Sequence, residues 1–238
     1  MLLPPPLGAI TLGASSEHAS HPVTRLLEET PRLRWQSASS SVTSAGVSVT
    51  CTQAVTSLVI TGAVCTDCGL SVGGGAVPGI TKQTVTDPYT GKKGFWFTFT
   101  SVSALTTITA TFTQLGSSTI SAEQLLVGAT GEYTGVQYPV AEGLVDSSVI
   151  TPMSDGTIHV RQRPIGRAFA AGIRQTTAVI RSFLRTSRGI GRQATMFHLS
   201  ETTDPEQWLV YGRFAALPQG SHDLPTLSVV QFSIEEAV

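Results

Sequence analysis

The segment Gly94–Val102 has the sequence GFWFTFTSV, and after a short break Thr106–Gln114 has the sequence TTITATFTQ. Apolar side chains recur at every second position over much of both segments, which is the pattern of a strand with one buried face. Phenylalanine, isoleucine and threonine are also enriched in strands, because they pack well on a pleated surface. The two segments therefore predict strands of an antiparallel sheet, and they indicate the fold class of the region around them.

Similar short runs occur on both sides of these segments, and each is ended by glycine, aspartate or proline. They are VSVTCTQ from Val47, SLVITGAV from Ser57, CGLSVGG from Cys68 and ISAEQLLVG from Ile120. Short strands at this spacing are typical of a sandwich and not of alternating strands and helices. We therefore expect a mainly β protein in which residues 31–143 form an antiparallel β-sandwich, with Trp35 in its core.

The sequence changes character near residue 144. TIHVRQRPIG predicts a strand, and Ala168–Arg188 predicts a helix whose apolar face carries Ile173, Thr177, Ile180 and Leu184. Three further strands are expected in ATMFHLS, WLVYGRFAAL and LSVVQFSIEEA. Residues 144–238 thus form a small α+β domain with one main helix. Residues 1–30 are expected to be an extended N-terminal arm, with a short helical turn, that packs on this domain.

The composition limits the classes of function. The chain has 238 residues, 15 Lys+Arg against 16 Asp+Glu, and a formal net charge of -1. This balance argues against general electrostatic binding of nucleic acid. No window holds the ~18 uninterrupted apolar residues of a membrane span. The N-terminal segment lacks a basic region and contains three consecutive prolines, so we expect no secretion signal.

One region departs from this neutrality. Between Arg161 and Arg192 there is no Asp or Glu. Of the eight arginines there, Arg174, Arg181, Arg185 and Arg188 are expected on the helix face opposite the apolar one. They could form a solvated surface, a subunit or partner interface, a nucleic-acid contact or an anionic-lipid contact.

All nine basic residues after residue 150 are arginine, which favours an interface, since guanidinium groups form bidentate bonds to carboxylates. The candidate complements are Glu201, Asp204, Glu206, Glu235 and Glu236.

Residues with the chemistry of a catalytic or metal site do not form a recognised set. HExxH, GxSxG, P-loop and GxGxxG motifs are all missing from the sequence, so we expect no enzyme and no cofactor. Cys65 and Cys68 have the spacing of half a zinc site, to which Cys51 and a histidine could add ligands. The second cysteine pair is missing, so small buried thiols and no metal are expected.

Three parts of the sequence together resemble a known group. They are RLRWQS followed by GVSVT and SLVITG, then AEQLLVGATGEY, and finally the C-terminal region with RGIGR, YGR and IEEA. This arrangement is similar to tail-tip structural proteins of long-tailed bacteriophages, of the distal-tail or minor-tail type, over roughly residues 30–238. In that group a galactose-binding-like sandwich precedes the helix and the last strands.

The resemblance implies a structural protein of the virion, made in the host cytoplasm, that forms a ring at the tail tip. The implied partners are copies of itself, in a hexamer rather than a trimer, and the tail tube and tail hub proteins. The ring would join the tube to the hub and the receptor-binding parts. The alternative is a carbohydrate-binding accessory module that recognises host surface glycans through Tyr89, Trp96 and Tyr133.

Overall fold

The structure is a computed structural model in which residues 2–3, 9–28, 33–86, 91–131, 133, 136–146, 148–153, 157–161, 165–191, 193–198, 209–222 and 226–236 are described. Contacts divide the chain into two compact units, Met1–Glu132 with Thr195–Leu209 and Tyr133–Ala194 with Val210–Val238. The division falls before Tyr133 instead of near Gly143. The reason is that the strand containing Gly143 pairs with a strand of the second unit.

The first unit is built almost entirely of strands. In chain order they are β1 (Leu2–Leu3), β2 (Ile10–Ala14), β3 (Trp35–Gln36), β4 (Ser44–Cys51), β5 (Val55–Ala63), β6 (Asp67–Val72), β7 (Gly75–Ala76), β8 (Thr81–Thr86), β9 (Lys93–Val102), β10 (Thr107–Thr113), β11 (Ser121–Ala122) and β12 (Gln124–Gly128). One sheet has the order β2-β4-β10-β6-β7 and another the order β12-β5-β9-β8, while β3 pairs with β11. All of these pairings are antiparallel.

The core of this unit is contributed by both sheets. In β10, Ile108, Ala110 and Phe112 are buried, while the threonines between them are less buried or exposed. These side chains form one cluster with the buried residues of β5 and β9. Trp35 is fully buried and lies 5.4 Å, centroid to centroid, from Phe112. The predicted mainly β fold with an antiparallel sandwich is therefore confirmed.

The N-terminal segment has two packing partners, because Leu2–Leu3 pair with Met196 and Phe197 of the region 144–238, whereas residues 10–27 belong to the sandwich. Strand β2 pairs with β4 from Ile10 to Ala14, and a 3-10 helix follows at Val23–Leu27. Val23 and Leu26 of this helix are buried in the sandwich core. The expected extended segment with one helical turn is correct in form. Its packing partner is as expected for β1 but not for β2, because β4 offers β2 a free strand edge.

The remaining elements, in chain order, follow residue 133. They are β13 (Val136–Asp146), β14 (Val149–Pro152), β15 (Ile158–Arg161), β16 (Ile165–Thr176), α1 (Thr177–Ile190), β17 (Thr195–His198), β18 (Leu209–Phe214), β19 (Gln219–His222) and β20 (Leu227–Glu236). In the second unit β16 lies between β13 and β20, and the other edge of β20 pairs with β18 and β19. Strand β17 belongs to the first unit, where it pairs with β1.

The helix is shorter than the sequence predicted. Ala168–Thr176 is part of β16, and α1 begins at Thr177. Phe169, Ala171 and Ile173 are buried at every second position, and β16 is hydrogen-bonded to neighbours on both edges. Strand pairing therefore makes this segment a strand, although the spacing of Ile173, Thr177 and Ile180 also fits a helix. The described part of the chain contains no helix with the length and hydropathy to cross a membrane.

Candidate functional site: an arginine stripe on the helix

Helix α1 covers one face of the sheet in the second unit. Its buried residues are Ile180, Phe183, Ser187 and Ile190, which recur at helical spacing. Phe183 is the centre of an aromatic cluster, with ring centroids 5.5 Å from Phe232 and 6.4 Å from Phe214. The predicted apolar face is thus rotated, because Phe183 takes the central position and Leu184 is only partly buried.

Both ends of the helix are fixed by hydrogen bonds. The Thr177 amide donates to the Thr226 carbonyl oxygen at 3.1 Å, and the hydroxyls of Thr177 and Ser228 lie 3.0 Å apart. At the other end Gly191 has a φ of 61°, and its amide donates to the Ser187 carbonyl oxygen at 2.9 Å. This conformation suits glycine, so Gly191 ends the helix just beyond Arg188.

The outward face of α1 carries the arginine stripe, which we define as Arg181, Arg185 and Arg188. All three side chains are exposed. At ~100° per residue they fall within roughly 60° of one another, and the stripe extends about 10 Å along the helix. The stripe therefore presents three guanidinium groups in a row on a fixed support.

Among the described residues, no carboxylate forms an ion pair with the stripe. Helix α1 contains no acidic residue. Within the described ranges the ion pairs involve other arginines and lysines, namely Lys82–Asp67, Lys92–Glu123, Arg167–Glu236 and Arg213–Glu235. Arg188 lies in the last turn, where a cation is favoured by the helix dipole. The stripe is thus a concentrated positive surface that suits a partner carrying carboxylates or other anionic groups.

Arg174 does not belong to this stripe. It lies in β16 next to the buried Ile173, and its side chain is exposed. Because side chains alternate across a strand, Arg174 projects from the sheet face opposite Ile173, whereas α1 covers the face that contains Ile173 and Phe232. The predicted set of four arginines is therefore corrected to three on the helix and one on the other face of the sheet.

Two of the candidate complements already have partners in the same chain. Arg167 Nη2 lies 2.9 Å from Glu236 Oε1, and Arg213 Nη2 lies 3.7 Å from Glu235 Oε2. Strand register places each arginine next to its glutamate on β20. The hypothesis that Glu235 and Glu236 serve a neighbouring subunit is therefore not supported. Glu201, Asp204 and Glu206 lie outside the described residues.

Of the aromatic candidates for sugar binding, the structure describes Trp96 and Tyr133, and both pack within the protein. Trp96 is 1% exposed, because its strand β9 is buried on both faces at that point. Tyr133 belongs to the second unit, where its hydroxyl lies 2.9 Å from the Thr186 hydroxyl and its ring meets Phe183 edge-on. Tyr89 lies outside the described residues. Trp96 thus offers no ring face to a sugar, and Tyr133 packs against the helix.

The three cysteines are free and buried. Burial raises the pKa of the Cys65 thiol to about 11, an effect that the nearby Lys93 ammonium partly opposes. Burial also raises the pKa values of Cys51 and Cys68. Over the described ranges no three His, Cys, Asp or Glu residues are grouped to hold a metal ion.

Comparisons with known proteins leave the function open. No protein family and no curated protein matches the chain. A solved chain from the Streptococcus pneumoniae beta-galactosidase BgaA aligns with a TM-score of 0.41 and 13% identity, over 53% of this chain and 100% of that one. A likeness of this strength carries no functional argument, so the proposals below depend on the residues of this chain.

Proposed function

We propose that the chain is a structural virion protein of a bacteriophage tail tip, of the distal-tail type. It forms a ring, with a hexamer the expected form, that joins the tail tube protein to the hub and the receptor-binding parts. The proposal rests on the sequence resemblance described above and on one structural observation. That observation is the exposed arginine stripe of α1, which has no carboxylate on its own helix.

The residue types of the stripe favour contact with a protein. Arginine forms bidentate hydrogen bonds with carboxylates and is less strongly hydrated than lysine, so it is common in ion pairs at interfaces. The chain as a whole has a net charge of -1, which gives no general attraction for nucleic acid. An acidic surface on a neighbouring protein is therefore the partner that the stripe fits best.

A ring follows if that acidic surface belongs to the next copy. A head-to-tail contact joins two different surfaces, and it produces a closed ring when the rotation between copies closes. The stripe would be one of these surfaces. The acidic surface is less suited to Glu235 and Glu236, since both already have a partner within the chain. It belongs to other carboxylates of the neighbouring copy, or to the tube or hub protein.

The experiment is to reverse the charge of the stripe with Arg181→Glu and Arg185→Glu together. Glutamate is as good a helix former as arginine, and both side chains point outward, so the fold should be unchanged. A buried ion pair that loses a partner costs about 3–5 kcal/mol, and a solvated one only about 0–1 kcal/mol. We therefore expect a folded protein, by circular dichroism, that forms no rings in electron micrographs.

A matched control distinguishes the effect of where the charge is reversed from the effect of the change in net charge. Arg34 is also exposed but lies before β3 in the first unit, so Arg34→Glu makes the same change as Arg185→Glu at another place. We expect Arg185→Glu to weaken assembly and Arg34→Glu to leave it intact. Normal ring formation by the double stripe variant would show that the stripe is only a solvated surface.

A further inference from the structure

The strands β14 and β15 form a hairpin that stands apart from the other sheets, and we call this hairpin the arm. It is inserted between β13 and β16, whose last paired residues are Asp146 and Ile165. Within the described ranges β14 and β15 pair only with each other. Hairpins of two strands are marginally stable in water unless a further layer or strand covers them.

One face of the arm is entirely apolar. Ile150 is paired with Val160, and Pro152 with Ile158. Paired residues point to the same side of a sheet, as do residues two apart on one strand, so these four side chains share one face. We call this set the arm face. All four residues are exposed, with Ile150 and Ile158 each 66% exposed. The described part of the chain therefore leaves the arm face uncovered.

The exposed area of the arm face is comparable with that of the largest apolar patch on a typical monomer. The four side chains expose roughly 400 Å², within the ~300–600 Å² found for such patches. Patches of this size are often functional. Burial against an equal area would remove about 800 Å² from water, which is the size of a weak or transient contact.

The chain itself indicates what covers this face. Among the described residues ten large apolar side chains are exposed, and five of them lie between Leu144 and Val160. The other five come from separate segments of the first unit and from one position of the second, namely Leu27, Ile80, Leu105, Leu115 and Leu217. Among the surfaces that the structure describes, the one that matches the arm face in size and character is the arm face of another copy.

We infer that the arm is a self-association surface, at which the arm faces of two copies pack against each other. The contact uses the same residues on both copies, so it has two-fold symmetry and joins copies in pairs. Such a contact cannot close a ring by itself. It is therefore separate from the head-to-tail contact proposed for the arginine stripe, and it could join two rings or two single copies.

The test compares the mass of the native chain with that of an arm variant over a range of concentrations. The variant carries Ile150→Thr and Ile158→Thr, which keep β-branched side chains and hence the strand propensity of the arm. We expect native pairs whose dissociation constant rises at least about 100-fold in the variant. The matched control is Leu115→Thr, which changes a more exposed leucine of the first unit and should leave association unchanged.

A second measurement keeps the inference testable if the variant folds poorly. Val160→Cys places a thiol on the arm face, where the two-fold contact brings two copies of it close together. The native cysteines are buried, so they should react slowly. Under mild oxidation Val160→Cys should form a disulfide-linked dimer faster than a Leu115→Cys control.

The arm inference is overturned if the native chain stays monomeric, if the double threonine variant associates like the native chain, or if the two cysteine variants cross-link equally fast. A native chain that stays monomeric would also contradict the tail-tip proposal, whereas the other two outcomes would leave that proposal standing. Rings that form in the arm variant and still pair with one another as the native rings do would overturn the arm contact alone. Pairs that depend on the arm, in a protein that forms no rings, would support the arm contact and contradict the tail-tip proposal.

Discussion

Arg167 and Glu236 face each other across β16 and β20 and are joined through three hydrogen bonds. The Arg167 amide and Nε donate to Glu236 Oε2 at 3.0 and 3.2 Å, and Nη2 donates to Oε1 at 2.9 Å. The guanidinium also lies 5.6 Å from the centroid of the Phe169 ring. The C-terminal strand is thus held to β16 by a charged pair as well as by its backbone.

We predict that this pair contributes measurably to stability. Both side chains are only partly exposed, so the coupling energy should be about 1 kcal/mol, between the values for solvated and buried pairs. A double-mutant cycle with Arg167→Met and Glu236→Gln, measured by urea unfolding, gives this energy. The control cycle uses Arg213 and Glu235, which are more exposed and 3.7 Å apart, and it should give a smaller value. Equal couplings would contradict the prediction.

Gly212→Ala should destabilise the second unit. A Cβ at this position would lie 2.3 Å from the Glu235 carbonyl oxygen, so β18 and β20 would have to separate. Forcing extra atoms into a close contact typically costs about 1–3 kcal/mol. Gly143→Ala is the control, because a Cβ there would meet nothing within 4 Å. Thermal unfolding of both variants checks the prediction, which fails if they unfold at the same temperature.

Leu105→Asn should stabilise the first unit. Leu105 has a φ of 62° in the connection between β9 and β10, and it is 73% exposed. A left-handed conformation costs most residues roughly 1–2 kcal/mol, and asparagine tolerates it better. We expect a gain of about 0.5–1 kcal/mol from the relief of this strain. Leu115→Asn, at another exposed leucine, controls for the loss of surface hydrophobicity. A melting temperature of Leu105→Asn below that of the native chain would contradict the prediction.

Stability should fall as the pH rises from about 9 to about 11, in part because of Cys65. Burial raises the pKa of this thiol from 9.0 to about 11, so the folded state holds a proton that the unfolded state releases in that range. The contribution of the Cys65 thiol to the free energy of unfolding is complete below pH 9 and is lost as the pH rises through the folded-state pKa. Urea unfolding at several pH values should show a shallower fall for Cys65→Ala than for the native chain. Identical slopes would mean that Cys65 contributes nothing.

The sequence was sufficient to predict the sandwich because strands such as β4 and β10 have one buried face. The buried Ile108, Ala110 and Phe112 alternate with threonines, and this signal is local. The start of the helix was not predictable in the same way. Phe169, Ala171 and Ile173 fit a strand, and Ile173 with Thr177 and Ile180 also fits a helix. The segment is a strand because β13 and β20 pair with it on both edges. Those two strands contribute contacts that are distant in sequence.

The candidate site was predictable to a similar extent. Arg181, Arg185 and Arg188 were placed on one face because they lie within the true helix, whereas Arg174 lies outside it. The partners of Glu235 and Glu236 depend on strand register, which a one-residue shift would reverse, so the sequence could not supply them. The burial of Trp96 could not be predicted from the sequence either. Alternation places Trp96 on the strand face opposite Phe95 and Phe97, but it does not show that this second face of the sheet is covered.

The central claim is that copies of this chain form a ring, and the mass of the purified native protein tests it most directly. Mass measurement together with electron microscopy of the same sample should show closed rings with the mass of a hexamer, or of two hexamers where arms join two rings. A protein that remains a single copy at every concentration examined, with no ring in the images, would contradict the account.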